Sequence, residues 1–378
     1  MRAARGPLFA FAAFGAYWGA WGVLVPDIKD QVGASVTELG VAFLASALAA
    51  LPAMLLTGRL VDRVGPRVMP LVLALFGVAV VLPGLTDTVG QLTLTLLFIG
   101  VTTGAYDVVI NVAATSVETS GGPRVMQIAH ALFSAGFLVA AIAVGLARGA
   151  GVEPFPVLVV IGGVVLASAA VNRTYPEAPR AAPERRFAFS RRLLVLGLLC
   201  GVAFVVEGGI ENWSALFLET ELDASPAVSG LGPGCFAGAM VAGRVLGQWL
   251  ELRVGDRRLL AAGGLTAAFG LALASTADAV PLALVGFALG GAGISVAAPT
   301  LFGAAGRGAS DAERGSSVAS VTTIAYLGFL IGPPLIGAVS GALDLRAGIA
   351  LLAGIALLLA AAASASRRAL PAEPRRHP

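Results

Sequence analysis

Acidic and amide side chains recur at helical spacing inside otherwise apolar stretches of this 378-residue sequence. Gly104, Asp107, Asn111, Thr115 and Glu118 follow one another at intervals of three or four residues. On a helix these positions form one polar stripe, with Asp107 deepest and Glu118 reaching the end near Arg124. Gln127, His130 and Ser134 share a face of the next stretch, and Glu207 and Glu211 lie one turn apart in a later one, followed by Trp213 and Ser214. An ionisable group at mid-membrane costs about 2.5–3.5 kcal/mol on insertion scales, so it is rarely there without a task or a partner. A carboxylate in that setting can take and release a proton as its surroundings alternate between wet and dry, or can meet a cation.

Each group also has a plainer role. His130 reads first as a hydrogen-bond donor to a neighbouring helix, and Asn111 as glue between helices. For Asp107 and Glu207 the functional reading is the stronger, because no Lys or Arg is placed at matching depth. Arg244, the one candidate, sits toward the cytoplasmic end of its stretch. Glu211 fits either an inner role or a hydrated outer vestibule. The aromatic set Phe14, Tyr17, Trp18 and Trp21 suits packing as well as it suits a platform for a solute.

Several chemistries are excluded. Lys29 is the only lysine, so there is no G-x-x-x-x-G-K-[ST] phosphate loop. The two histidines, His130 and His377, stand in no metal-ligand or triad arrangement. Cys200 and Cys235 lie in apolar stretches as small packing residues and imply no disulfide. Neither an enzyme nor a cofactor is indicated.

The elements that must position these groups are membrane helices. The chain is 57% hydrophobic and 12% charged, against about 25% charged for soluble domains. Its 49 glycines suit helices that pack backbone to backbone. Twelve apolar stretches of spanning length run over 7–26, 36–57, 67–85, 91–117, 125–147, 154–172, 191–218, 226–250, 258–277, 280–306, 314–341 and 345–366. The first ends in Pro26-Asp27 with no small-residue cleavage site, so it is read as a retained span. Of the basic residues, only Lys29, Arg148 and Arg346 fall on the outer side, the rest lying in or toward the even loops and termini, which places both termini in the cytoplasm. That distribution makes the basic residues topological and argues against nucleic acid.

The chain also repeats itself. Arg63, Gly65 and Arg67, in the hairpin Gly58-Arg-Leu-Val-Asp62-Arg63-Val-Gly65-Pro66-Arg67, return about 190 residues later as Arg253, Gly255 and Arg257. Ala34-Ser35 returns as Ala224-Ser225 and Gly100 as Gly290; with a slip of two, Gly136-Phe137 returns as Gly328-Phe329. Duplication of a six-helix unit is the mark of secondary transporters. It predicts a first bundle over 1–172, a Pro- and Arg-rich cytoplasmic linker over 173–192, a second bundle over 193–366 and a tail over 367–378.

The hairpin matches the G-x-L-x-D-R-x-G-x-R signature, and the chain resembles the major facilitator superfamily over nearly its whole length. Gly104-Ala-Tyr-Asp107-Val-Val-Ile-Asn111, His130-Ala-Leu-Phe133-Ser134 and Glu207-Gly-Gly-Ile-Glu211-Asn212-Trp213-Ser214 are similar to the bacterial branch that includes the MosC and YbjJ membrane proteins. The chain departs from that pattern with Asn212 in place of Asp and Glu211 in place of a small residue. The resemblance implies an all-α fold of two six-helix bundles, alternating access and a central site at the bundle interface. It implies a cytoplasmic latch of Gly58, Asp62, Arg63, Gly65 and Arg67, with Gly58 allowing close helix approach and Asp62 meeting a helix end or an arginine. In the second half Leu252 replaces the latch acid, with Glu251 beside it as a substitute.

The implied function is proton-coupled movement of a small polar solute across the bacterial inner membrane by a monomer, with neutral or cationic solutes favoured over anions. Asp107, Asn111, His130, Glu207, Glu211, Tyr17, Trp21 and Trp213 are the candidate residues for coupling and substrate. The alternatives are an exporter of an organic cation or drug-like metabolite, and a non-transporting membrane sensor. The fifth span lacks the proline of drug/proton antiporters, and linker and tail are short for a sensor's output domain.

Overall fold

A computed structural model describes residues 4–65, 68–119, 125–172, 190–307, 309, 314–367 and 369–370. Among them the secondary structure is helical. The first half holds α1 (Arg5–Gln31), α2 (Val36–Val64), α3 (Val68–Ala79) with a 3₁₀ turn at Leu82–Leu85, α4 (Val89–Thr119), α5 (Met126–Gly149) and α6 (Pro154–Val171). The second holds α7 (Arg191–Leu222), α8 (Pro226–Ser229), α9 (Leu231–Val254), α10 (Asp256–Ser275), α11 (Val280–Ile294), α12 (Ala297–Arg307), α13 (Arg314–Ala342) and α14 (Leu345–Ala365). Eleven helical segments are long and apolar enough to cross a membrane. The α8–α9 segment, read from the sequence as the eighth span, is not one of them, being diluted by Arg244, Gln248 and repeated glycines.

Three expected spans are interrupted, each four or five residues before a proline. A proline has no N–H to donate and its ring crowds the carbonyl four residues back. The third span accordingly leaves α-helix after Ala79, four before Pro83; the eighth breaks after Ser229, four before Pro233; the tenth breaks after Ile294, five before Pro299. Pro333 and Pro334, by contrast, lie inside α13 without ending it.

The repeat is visible in the backbone. Ser35 and Ser225 are both extended N-caps, with φ and ψ of −69° and 161° and of −65° and 154°. Gly65 and Gly255, which follow α2 and α9, have φ of +73° and +77°, a region that a side chain disfavours. It is visible in packing too. A Cβ on Gly136 would meet the Ala12 carbonyl, and one on Gly328 the Gly201 carbonyl. So the fifth helix of each half lies backbone to backbone against the first.

The chain divides into two compact units, Met1–Pro183 with Asp223–Gly234, and Glu184–Leu222 with Cys235–Pro378. Residues 223–234, placed by the repeat in the second half, thus pack with the first unit. The expected linker 173–192 and tail 367–378 lie largely outside the described residues.

Candidate functional site

In the second unit, α7 carries Glu207, Glu211 and Ser214. The Glu207 side chain retains 15% exposure, and Arg244 of α9 brings a guanidinium nitrogen to 3.8 Å from its Oε1. This corrects the expectation that no cation stands at the depth of Glu207. The reach comes from a long side chain and from α9 lying close to its neighbours. A Cβ on Gly243 would meet the Ala292 carbonyl at 2.7 Å, and one on Gly247 the Val296 side chain at 2.6 Å. Glu211 lies within electrostatic range of both Glu207 and Arg244. Asn212, by contrast, spends its amide within α7, donating to the Gly208 carbonyl at 2.8 Å. Trp213 and Ser214 are fully buried.

In the first unit, α4 holds Asp107 half-buried with Asn111 one turn on. The Asn111 amide donates to both the Asp107 carbonyl (2.9 Å) and its Oδ1 (3.1 Å). Asn111 therefore orients that carboxylate in addition to any role as glue. His130 on α5 is exposed and meets Phe11 edge-on at 5.2 Å between ring centroids, while its carbonyl accepts from the Ser134 hydroxyl. Tyr17 and Trp21 are buried. Tyr17 sits edge-on to Phe76 at 4.9 Å and Trp21 edge-on to Phe43 at 6.1 Å, so both belong to an aromatic cluster around Phe14 and Tyr106. Such rings bury large apolar area in fixed relative geometry.

The latch is partly on view. Gly65 makes the expected turn at positive φ, and Arg63 is exposed. The Asp62 side chain and Arg67 lie outside the described residues. Among the described residues no heavy atom lies within 4 Å of where a Cβ on Gly58 would stand, so the expected close approach is not made there. Close approach between α2 and α4 falls instead to Gly100 and Gly104, which face the Ser46 and Ala50 carbonyls. In the second unit Glu251 and Asp256 both hold Arg307, at 3.3 and 2.6 Å, tying α9, α10 and α12 together.

Three polar contacts were missed by residue-type reasoning. Glu118 does not merely end the α4 stripe; its Oε1 accepts from the backbone N–H groups of Val125 (2.6 Å) and Met126 (2.9 Å), capping α5. Arg148, its side chain 1% exposed, donates Nε to Asp27 Oδ2 at 2.6 Å, pairs a second time with that carboxylate, and reaches Ser229 Oγ at 3.0 Å. Arg346 binds Glu221 at 3.2 Å and the carbonyls of Ser275 and Ala277. The signal was present, since the basic residues set apart by charge asymmetry each have an acid within reach.

The chain matches the Major Facilitator Superfamily profile over residues 8–220 and 196–378. It belongs to that superfamily. It is 33% identical over 363 residues to an uncharacterized MFS-type transporter of Yersinia pestis, covering 95% of this chain and 94% of that one. It is 28% identical to the membrane protein MosC of Rhizobium meliloti, covering 94% and 88%. Among solved structures, the nucleoside transporter NupG aligns with a TM-score of 0.76 at 15% identity over 96% of this chain and 98% of its own. The D-xylose-proton symporter aligns with 0.74 at 14% over 95% of each. The major facilitator protein described here is thus a multi-pass membrane transporter rather than an enzyme, with the all-α fold of that superfamily.

Proposed function

We propose that this major facilitator protein is a proton-coupled secondary transporter that moves a small polar solute across the bacterial inner membrane by alternating access, as a monomer with both termini cytoplasmic. The observation that carries the proposal is the pair Glu207 and Glu211 on a membrane helix, with two carboxylates in electrostatic range of one guanidinium, that of Arg244. Charges are retained inside membranes for ion and proton pathways because their insertion is costly. Asp107, oriented by Asn111, supplies the acid of the first unit, with His130 nearby in sequence on α5; Tyr17, Trp21 and Trp213 provide rigid aromatic backing. A negative or neutral lining disfavours anionic solutes. Gly58, Asp62, Arg63, Gly65 and Arg67 form the cytoplasmic latch in this reading, and Asp62→Asn slows turnover without loss of solute affinity in the outward-open state.

The test is uptake and efflux in reconstituted vesicles over a solute panel, with and without a proton gradient. Glu207→Gln abolishes gradient-driven accumulation while leaving exchange, and Asp107→Asn damages binding or closure as well. Gradient-driven accumulation that survives in the double variant overturns the coupling assignment. Tight binding of a dicarboxylate overturns the charge argument.

A further inference from the structure

We propose that Trp249 and Arg253, at the end of α9 beside its turn into α10, form a binding site for the headgroup of an anionic phospholipid. The inference goes beyond the transport reading and stands apart from it. In the orientation proposed above, the lipid belongs to the cytoplasmic leaflet.

The sequence of α9 sets the geometry. Successive residues of a helix turn by about 100°, so Val241, Val245, Leu246, Trp249 and Arg253 fall within an arc of about 140°. All five are exposed. The other side of the helix is the packed one. Gly243 and Gly247 are buried there, and Glu251 holds Arg307 at 3.3 Å. An exposed apolar stripe on a membrane helix is a surface for acyl chains. At a rise of about 1.5 Å per residue, Trp249 lies about 12 Å from Val241 along the axis and Arg253 about 18 Å. One leaflet holds about 15 Å of hydrocarbon. Val241 stands near the middle of the span read over 226–250, so ring and cation come at the depth of the headgroups, where tryptophan is enriched.

Arg253 is prepared for a phosphate. Its guanidinium carbon stands 3.5 Å from the centroid of the Trp249 ring. A planar guanidinium held over a ring keeps its in-plane N–H donors for other partners. Among the described residues those donors meet no acceptor, and Arg253 has no acidic partner. Glu251, two residues before it, points about 160° away round the helix and is taken by Arg307. A phosphate diester matches both needs, because its two free oxygens accept from the guanidinium fork and its charge is opposite. A zwitterionic headgroup brings a cation of its own and gains less.

The repeat supplies an internal comparison. At the step of about 190 residues, Trp249 and Arg253 answer to Arg59 and Arg63, which are exposed as well. The first half therefore has two like charges there and no ring to stack on.

Trp249 also serves as the reporter. It is 50% exposed, whereas Trp21 and Trp213 are buried and Trp18 partly so. Full-length protein in nanodiscs is titrated with phosphatidylglycerol brominated near the top of the acyl chain, and in parallel with phosphatidylcholine brominated alike. Quenching of tryptophan fluorescence is read, with Trp249→Phe in each background to subtract the other three. Phosphatidylglycerol is expected to be preferred at Trp249 by at least about fivefold, the worth of one basic side chain at an anionic surface. Arg253→Ala should reduce that preference to less than about twofold, and Arg59→Ala should leave it unchanged. Equal quenching by the two lipids overturns the proposal, as does a preference that survives Arg253→Ala. An equal loss in Arg59→Ala also overturns it, since diffuse surface attraction then explains the result. Displacement of the lipid by millimolar inorganic phosphate, beyond that caused by sodium chloride at the same ionic strength, would assign the site to a soluble phosphate instead. Absence of quenching by either lipid would mean that a second copy of the chain covers this face. Should Arg253→Ala fail to fold, Arg253→Lys decides. It keeps the charge and loses the fork, so wild-type preference in that variant overturns the stacked receptor.

Discussion

Gln31 and Glu221 occupy repeat-equivalent positions at the ends of α1 and α7, and they secure the same place by different chemistry. The Gln31 amide donates directly to the carbonyls of Pro83 (3.0 Å) and Thr86 (2.6 Å), at the end of the third span. Glu221 has no donor to offer. It holds Arg346, whose guanidinium then reaches the carbonyls of Ser275 and Ala277, the corresponding place in the second unit. One residue in the first half thus became an ion pair in the second, with two carbonyls satisfied in each.

Arg346→Met should therefore cost more than Gln31→Ala. It strips two carbonyls of a charged donor and leaves Glu221 uncompensated, so about 2–3 kcal/mol is expected, against about 1 kcal/mol for the neutral amide. Unfolding temperatures of the purified variants check the order, and equal losses would mean that Arg346 is dispensable to its carbonyls.

Asp27→Asn should destabilise the first unit more than a surface ion pair would. It leaves the buried Arg148 guanidinium without its carboxylate, and breaking a buried pair costs about 3–5 kcal/mol. The lower end is expected, because Asp27 itself keeps 29% side-chain exposure. Ser229→Ala, which removes the hydroxyl that accepts from Arg148 and donates to the Pro226 carbonyl, should cost about 1–2 kcal/mol. Comparing both in a denaturation assay checks the ranking.

Orientation is tested by labelling. On a background lacking Cys200 and Cys235, Ser190→Cys should react with an impermeant thiol reagent only from the cytoplasmic side, and Ala224→Cys only from the outside. The reverse pattern at both positions would invert the assignment made from the basic residues.

What the sequence made legible was whatever is written in spacing. Twofold recurrence of Ser35 with Ser225, and of Gly65 with Gly255, marked equivalent positions, and the structure gives each pair similar φ, although only Ser35 caps its helix through the side chain. Helix breaks were legible in principle at Pro83, Pro233 and Pro299, but apolar runs bridge them, and hydropathy is blind to a missing N–H. The pairing of Arg244 with Glu207 was hidden because residue counting gives depth along an upright rod. It says nothing of how far an arginine stem extends or how closely Gly243 and Gly247 let α9 approach its neighbours. Glu118 was misjudged for another reason. Its partners are backbone N–H groups, which every residue carries and no residue type reveals.

The packing of residues 223–234 within the first unit bears on how the protein is made. Gly145 and Gly149 lie against this segment, where a Cβ on Gly230 would meet the Gly145 backbone at 3.0 Å and one on Gly149 the Ala227 side chain at 2.6 Å. Translation runs from the amino terminus, and domains generally fold as they emerge. The first six helices nevertheless leave the ribosome without the piece that covers those glycines and completes the contacts of Arg148. During synthesis of the seventh helix the earlier bundle waits with one seam unfilled, and its maturation is timed by the arrival of a segment encoded in the other half of the gene.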